Sequence, residues 1–583
     1  MNTYLEYSTV KARIKSWFGR DWRALLFYVF AALVMTYPLI LNMGGNDMPI
    51  TNDLYMKLWD VWWLEHLIET GQAFYQSEDL FHPIGLNLSY HPTSWTSTAL
   101  TWLFSQVVSV FTAYKIMILV AIITSAYSAY LLALWLTKHR MAALLGGAIY
   151  GIAPYHIGDL KDHPDLSQLA PIPITVLFFL QSLSSGNLLL AAGAGLMLGL
   201  VAWTGLYLFG FTAITLAILF IYLALVDQRW REKRFWITVA TFAAASLIIL
   251  APRLYPVLKD SETLSYVIEE KFTAFTLQAD VLAFVVPPGT NPLFTSLTGQ
   301  ISANFAKSES RHPSPYLGWV AITAVLSALF WRKNRKEIWA WLMIGVVFML
   351  LSAGPVLRFN GQVYEDIQLP ASLLLNIELF RSVRPQLFHI GLLLPLAVLA
   401  SYGFSRWFNN FDSRPLLIIR FASILAFLIW AEYWIGQFPL SPLEVSPIYE
   451  QFATDTGDYA IIDIPMGYTE SKRYLFLQSL HSRPIAEGMS SRMPPNAFDY
   501  IEANPLLARW QNLEELNCQE FSNEDYVFAI DALIADDFRY VVLHRQNARL
   551  RSYLDATTKD YDDEILSVYA LSDLRDNPPC SAE

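Results

Sequence analysis

The chain has 583 residues, of which 54% are hydrophobic and only 16% charged, with a mean hydropathy of +0.34; that excludes a soluble globule with one core and calls for lipid. A formal charge of -11, from 51 acidic against 40 basic residues, argues against a nucleic-acid partner. Two cysteines, Cys518 and Cys580, both close to the C-terminal end, imply neither a disulfide framework nor a thiolate metal site, and leave open one bridge or two free thiols.

A helix needs roughly 20 apolar residues to cross about 30 Å of hydrocarbon. In chain order the candidates are Ala24–Met43, Tyr114–Thr137, Met141–Tyr155, Leu169–Leu183, Leu188–Trp203, Leu206–Val226, Phe235–Ala251, Tyr316–Trp331, Ile338–Val356, Leu387–Phe404 and Leu416–Phe438. This pattern predicts a polytopic α-helical membrane protein with about 11 transmembrane helices. The segment Thr96–Phe111 is apolar but studded with Ser, Thr and Gln, which suits an interfacial or re-entrant helix. The first candidate follows a basic stretch without a small-residue cleavage site, so it reads as a retained span.

Lys and Arg set the sidedness. Lys11, Arg13, Lys15, Arg20 and Arg23, then Lys138 and Arg140, the runs Arg229–Arg234 and Arg332–Lys336, and Arg406 with Arg414 fall on one side, the cytoplasmic one. The loop Gly44–Trp95 holds seven acidic residues against the single basic Lys57 and faces outward. Residues 1–438 are thus expected to form the transmembrane domain, with large outward loops over 44–113 and 252–315. Residues 439–583 form a second domain outside the membrane, so the chain sits in the cell (plasma or inner) membrane with its N-terminus cytoplasmic. In that second domain, Tyr459–Ile464 and Phe538–Leu543 look like buried strands, and Asn504–Glu515 and Asn523–Ile534 like helices. An extracytoplasmic α/β domain follows.

No GxxxxGK[ST] phosphate loop, HExxH or GxSxG occurs, so ATP-driven transport, zincin proteolysis and α/β-hydrolase chemistry have no support. Polar density collects in the two outward loops instead. From Asp53 to Glu69 the first loop shows helical amphipathicity, with Trp59, Trp62, Trp63 and Leu67 clustered, which suits a helix lying in the bilayer interface. Asp53 would start it, either as an N-cap or as a carboxylate that acts as general base toward an acceptor hydroxyl.

The first span, the outward loop with Asp53 and Trp59-x-x-Trp62-Trp63, and then Phe81-His82-Pro83-x-Gly85 together resemble the GT-C glycosyltransferase superfamily, especially its uncharacterised bacterial members and the YfhO-like proteins. Further matching pieces are Ala153-Pro154-Tyr155 with Asp162-His163; Ala279-Asp280 with Pro287-Pro288; Tyr316-Leu317-Gly318; Ala353-Gly354-Pro355 with Gly361; and Arg381-Ser382-Val383-Arg384-Pro385. The last domain adds Gln478, His481, Arg483-Pro484 and Gly488, then Arg539-Tyr540-Val541-Val542. The resemblance covers nearly the whole chain.

It implies a GT-C-like fold and a polyprenyl-phosphate-linked sugar donor, with Asp53, in the first outward loop, as the base. The acceptor would be a cell-envelope glycan, lipid or protein, and membrane lipid a further partner. Arg253, Arg381 and Arg384, at outer span ends, either balance the phosphate of the leaving lipid or snorkel to headgroups. Asp60, His82, His91, Asp162 and His163 are the other substrate-binding candidates; ordinary hydrogen bonding is open to the histidines and a solvated loop position to Asp162 and Asp165. Scattered histidines make no metal site, and no cofactor is implied. Two departures from the family pattern stand out: Asn52 precedes Asp53 where relatives carry adjacent acids, and no second Arg follows Pro385. The expected activity is an inverting sugar transfer. The alternatives are a transporter or flippase-like protein for a lipid-linked substrate, or a non-catalytic envelope-assembly protein.

Overall fold

In lipid a backbone must satisfy its own hydrogen bonds, and long runs of Leu, Ala, Ile and Phe do so as helix. In the computed structural model, which describes residues 10–49, 52–163, 167–259, 277–309, 313–330, 335–376, 383–411, 413–467, 469–490, 493–512, 521–544, 554 and 558–578, a helix lies over each of the stretches named above. Five helices among the described residues are long and apolar enough to cross a membrane: Val110–Thr137, Leu206–Val226, Lys233–Lys259, Pro385–Asn409 and Pro415–Tyr433. Shorter apolar helices cover Arg140–Ile152, Pro171–Ser185, Leu188–Thr204 and Trp319–Leu329. The chain is a multi-pass, largely helical membrane protein. Cys518, Cys580, Asp165 and Arg381 lie outside the described residues, as does the side chain of Asp162.

Contacts divide the chain into two compact units. Met1–Gly45, Phe111–Arg253 and Lys271–Pro439 form the first; Asn46–Val110, Leu254–Glu270 and Leu440–Glu583 form the second.

The first unit is built around the helix His389–Asn409, almost all of whose side chains are buried. Small residues let its neighbours come close. A methyl group at Gly403 would strike the Ala324 carbonyl of Trp319–Leu329, and one at Gly146 of Arg140–Ile152 would strike Ser401. Elsewhere, Gly186 at φ +64° ends one helix, and Asn187 opens the next by accepting from the Leu189 and Leu190 amides at 2.9 and 3.4 Å, so the turn is capped on both sides. Two separate motif pieces of the sequence prove to be one contact. Buried Asp280 accepts from Leu282 N at 2.9 Å, Asn360 N at 3.1 Å and Gly361 N at 2.7 Å. It thereby pins the turn between strands Val356–Phe359 and Gln362–Gln368, whose Asn360 and Gly361 both have positive φ, as a tight Asn-Gly hairpin turn requires.

In the second unit, strand Ala460–Ile464 runs parallel to Phe538–His544, which pairs antiparallel with Leu566–Ala570, and that strand with Tyr561–Asp562. Helices Pro505–Asn512 and Asn523–Ala535 appear where the sequence places them. Asn504 caps the first through Leu506 N and Leu507 N, and a Ser522–Asp525 capping box starts the second.

Asn46–Val110 belongs to this unit, and its main helix, Asn52–Thr70, corrects one expectation. Its tryptophans do not lie along an interfacial face: Trp59 and Trp63 are buried, Trp62 is half-buried, and Leu54, Met56, Leu58 and Val61 are buried as well. Apolar residues all round a helix mark one enclosed by protein. The Thr96–Phe111 stretch is a separate short helix, Trp95–Ser105, about 16 Å long and too short alone to cross the bilayer.

The close approach at Gly403 yields a direct check. Gly403→Val is expected to lower the melting temperature of detergent-solubilised protein, the overpacking costing about 1–3 kcal/mol. Gly44→Val, where an added group meets nothing within 4 Å, should leave it unchanged; equal melting of both variants would refute the packing described for this helix.

Candidate active site

Asp53 lies in the first turn of the Asn52–Thr70 helix, where unsatisfied amides favour a negative charge. The sequence gives no hint of its partner. Lys472, 419 residues away, sets its Nζ 2.5 Å from Asp53 Oδ1. Lys472 belongs to the helix Glu470–His481, and the two helices pack along one another. Contacts recur at helical spacing down the seam: Tyr55 against Phe476 at 5.9 Å between ring centroids, Trp59 Nε1 donating to Gln478 Oε1 at 2.8 Å, and Trp62 Nε1 donating to Ser482 Oγ at 3.2 Å. Asp53 and Lys472 form the wet end of this seam, with side chains 19% and 13% exposed, respectively.

Two turns further on, Asp60 is wholly enclosed. His91 Nε2 lies 3.0 Å from its Oδ1, Thr93 Oγ1 donates to the same oxygen at 3.0 Å, and Lys57 Nζ sits 3.4 Å from Oδ2. Lys57 also donates to the Pro92 carbonyl at 2.5 Å. The tripeptide His91-Pro92-Thr93 therefore wraps one ion pair. Burial pushes the Asp60 carboxyl up, but Lys57, His91 and Thr93 outweigh it and hold it below its ordinary value. With its oxygens taken up by Lys57, His91 and Thr93, this carboxylate braces the loop.

The remaining candidates divide. His82 Nε2 lies 3.0 Å from the Asp536 carbonyl, which ties the first loop to the last domain. Gln478 donates to the Asp79 carbonyl at 2.7 Å and to that of Arg483 at 3.2 Å, and a side chain at Gly488 would press on Leu80 at 3.1 Å. Arg483 is taken up by the carbonyls of Phe452, Asp455 and Gly457 and lies over the Tyr459 ring. Gln478 and Gly488 thus hold the segment around Asp79 and Leu80, and Arg483 holds the chain around Phe452 to Gly457. His163, Arg253 and Arg384 belong to the first unit: His163 ends the helix Pro154–Asp162, Arg253 is buried late in Lys233–Lys259, and Arg384 precedes the short turn Pro385–Phe388. Besides Lys472, the sequence reading missed a buried dyad at the carboxyl ends of the two parallel strands, His544 Nε2 at 2.8 Å from Asp463 Oδ1. Nothing in the local pattern of either strand signals it.

The chain matches a family described as a domain of unknown function, DUF6311, over residues 26–428; the match is not to the YfhO-like proteins. No curated protein matches it. Among solved structures it is similar to the Archaeoglobus fulgidus oligosaccharyltransferase in the apo form, at 12% identity and a TM-score of 0.49 over 91% of this chain and 70% of that one. It is also similar to ArnT from Cupriavidus metallidurans bound to undecaprenyl phosphate, at 13% identity and a TM-score of 0.40 over 96% and 98%.

One further feature of the seam is testable by pH. His481 is buried, which drives its imidazole down to about 3, with Arg483 adding to the effect. A depressed histidine binds its proton more readily when unfolded, so its contribution to stability is present above about pH 6.5 and is lost as pH falls toward the folded value. Glu487, raised mainly by burial, runs the other way. His481→Phe keeps the stacking on Tyr449 and should flatten the decline of melting temperature between pH 6.5 and 4 relative to the wild type; parallel curves would show that His481 does not set it.

Proposed function

We propose that this chain, which belongs to the DUF6311 family, is a membrane glycosyltransferase that moves a sugar from a polyprenyl-phosphate-linked donor to an extracytoplasmic acceptor, inverting the anomeric centre. The observation that carries the reading is the Asp53–Lys472 pair, largely buried but open to solvent at one end of the seam. A base needs a carboxylate that is ionised at rest and reachable from solvent, and a cation beside it favours the ionised form.

In the proposed reaction the acceptor hydroxyl donates to Asp53 while its oxygen attacks the anomeric carbon. The bond from that carbon to the phosphate oxygen breaks, its electron pair leaves with the lipid phosphate, and the hydroxyl proton passes to Asp53. Lys472, 2.5 Å from Asp53 Oδ1, would hold the carboxylate in place as it takes the hydroxyl proton. Arg384 and Arg253, with Arg381, are the cations proposed for the donor phosphate. Eleven crossings with the N-terminus cytoplasmic would put the second unit outside the cell, where an envelope glycan, lipid or protein accepts the sugar.

The test is reconstitution in liposomes with a panel of polyprenyl-phosphate sugars, following glycosylated product and released lipid phosphate. Asp53→Asn keeps the helix start and should lose transfer by a factor of about 10² to 10⁴. Lys472→Met should also lower turnover, with Lys472→Arg restoring part of it. Full turnover in Asp53→Asn would remove it as the base. Donor lipid that crosses the bilayer without any transfer would favour transport.

A further inference from the structure

The first unit encloses a histidine with no apparent structural duty. His389 opens the helix His389–Asn409 and is wholly buried, yet among the described residues neither Nδ1 nor Nε2 has a hydrogen-bond partner. Its faces are covered by aromatic rings: Tyr155 at 4.8 Å between centroids and Phe284, stacked, at 5.9 Å. The ring is therefore clamped by its faces, with its two nitrogen-bearing edges unused.

Three residues earlier, Gln386 is also wholly buried. Its backbone amide donates to the Leu277 carbonyl at 3.1 Å, its carbonyl accepts from the Tyr155 hydroxyl at 3.2 Å, and its Nε2 donates to the Pro313 carbonyl at 3.1 Å. Its Oε1 has no partner among the described residues. Gln386 lies in the 3₁₀ turn Pro385–Phe388 that leads into the helix, and in such a turn positions i and i+3 eclipse, so Gln386 and His389 share a face. Arg384, two residues before Gln386, and Asp159 act electrostatically on the same Tyr155.

Leaving one buried polar atom unpaired costs about 1–3 kcal/mol, and three on two residues one turn apart call for an occupant. A neutral imidazole offers one donor and one acceptor, and Gln386 Oε1 a second acceptor. An anion would meet two lone pairs there, and an apolar group would leave all three atoms unpaired. Adjacent hydroxyls, each donor and acceptor at once, match the set. We infer that Gln386 and His389 form a sugar-reading subsite, taking hydroxyls of the glycosyl group of a lipid-phosphate sugar whose phosphate lies toward Arg384. The inference rests on the transferase reading and adds the residues that would distinguish one sugar donor from bare lipid phosphate.

The experiment compares binding of undecaprenyl phosphate with that of undecaprenyl-phosphate glucose, mannose, galactose and arabinose to purified protein by native mass spectrometry. The wild type should bind at least one glycosylated lipid about tenfold more tightly than bare lipid phosphate, the scale of one or two hydrogen bonds. His389→Phe keeps the ring clamp and should abolish that preference while binding bare lipid phosphate as before; His389→Gln, which retains a donor and an acceptor, should restore part of it. Should His389→Phe fail to fold, Gln386→Leu is read in the same assay with the same expectation. A wild-type preference that survives both losses overturns the subsite and leaves the transferase reading standing, as does equal binding of all the lipids by the wild type, which marks a water-filled recess. A wild type that binds none of these lipids overturns the donor class itself.

Discussion

The arrangement of the candidate site depends on one desolvated charge. Asp60 has no contact with water, and an unpaired carboxylate in that position would be far more costly than any single packing contact. Its partners come from its own helix, through Lys57, and from the chain some thirty residues on, through His91 and Thr93. Once that pairing forms, the His91-Pro92-Thr93 segment cannot leave the Asn52–Thr70 helix. The helix can then bury its tryptophans against Glu470–His481 instead of offering them to lipid. Asp53, at the other end of the same helix, is consequently delivered to Lys472.

Polar groups elsewhere sort by the same rule. Asp280, Arg483 and Gln478 are motif residues that look equally chemical in the sequence, yet each is taken up within the protein: by hairpin amides for Asp280, by the carbonyls of Phe452 and Gly457 for Arg483, and by those of Asp79 and Arg483, with the Trp59 indole, for Gln478. They hold irregular chain in place. Gln386 and His389 are the contrast, wholly buried with polar atoms left over. Satisfied polar groups build; unsatisfied ones at a rigid position are where a ligand has something to gain.

The two units differ in how they use small residues and aromatics. Close helix contacts in the first unit rely on glycine, as at Gly146 and Gly403, since van der Waals contact is what draws helices together where lipid already solvates apolar side chains. In the second unit large rings fill the seams, with Trp59 and Trp63 stacked at 5.4 Å and Tyr474 on His544 at 4.7 Å.

The sequence by itself determined the apolar helices and the mixed α/β character of the C-terminal part, with two of its buried strands and two of its helices, because hydrophobic run length and helical periodicity are local signals. It also singled out Asp53, but it did not mark Glu470–His481 or Leu566–Ala570. It misread the tryptophan helix as interfacial, because an apolar stripe looks alike whether lipid or protein covers it. Only the tertiary structure decided that Asp60 is a brace, that Lys472 meets Asp53 across 419 residues, that Asp463 joins His544, and that His389 stands clamped with its edges unused. Each of these is a pairing between distant segments, and which polar atom finds a partner is fixed by the folded path of the backbone, not by the residues beside it in the chain.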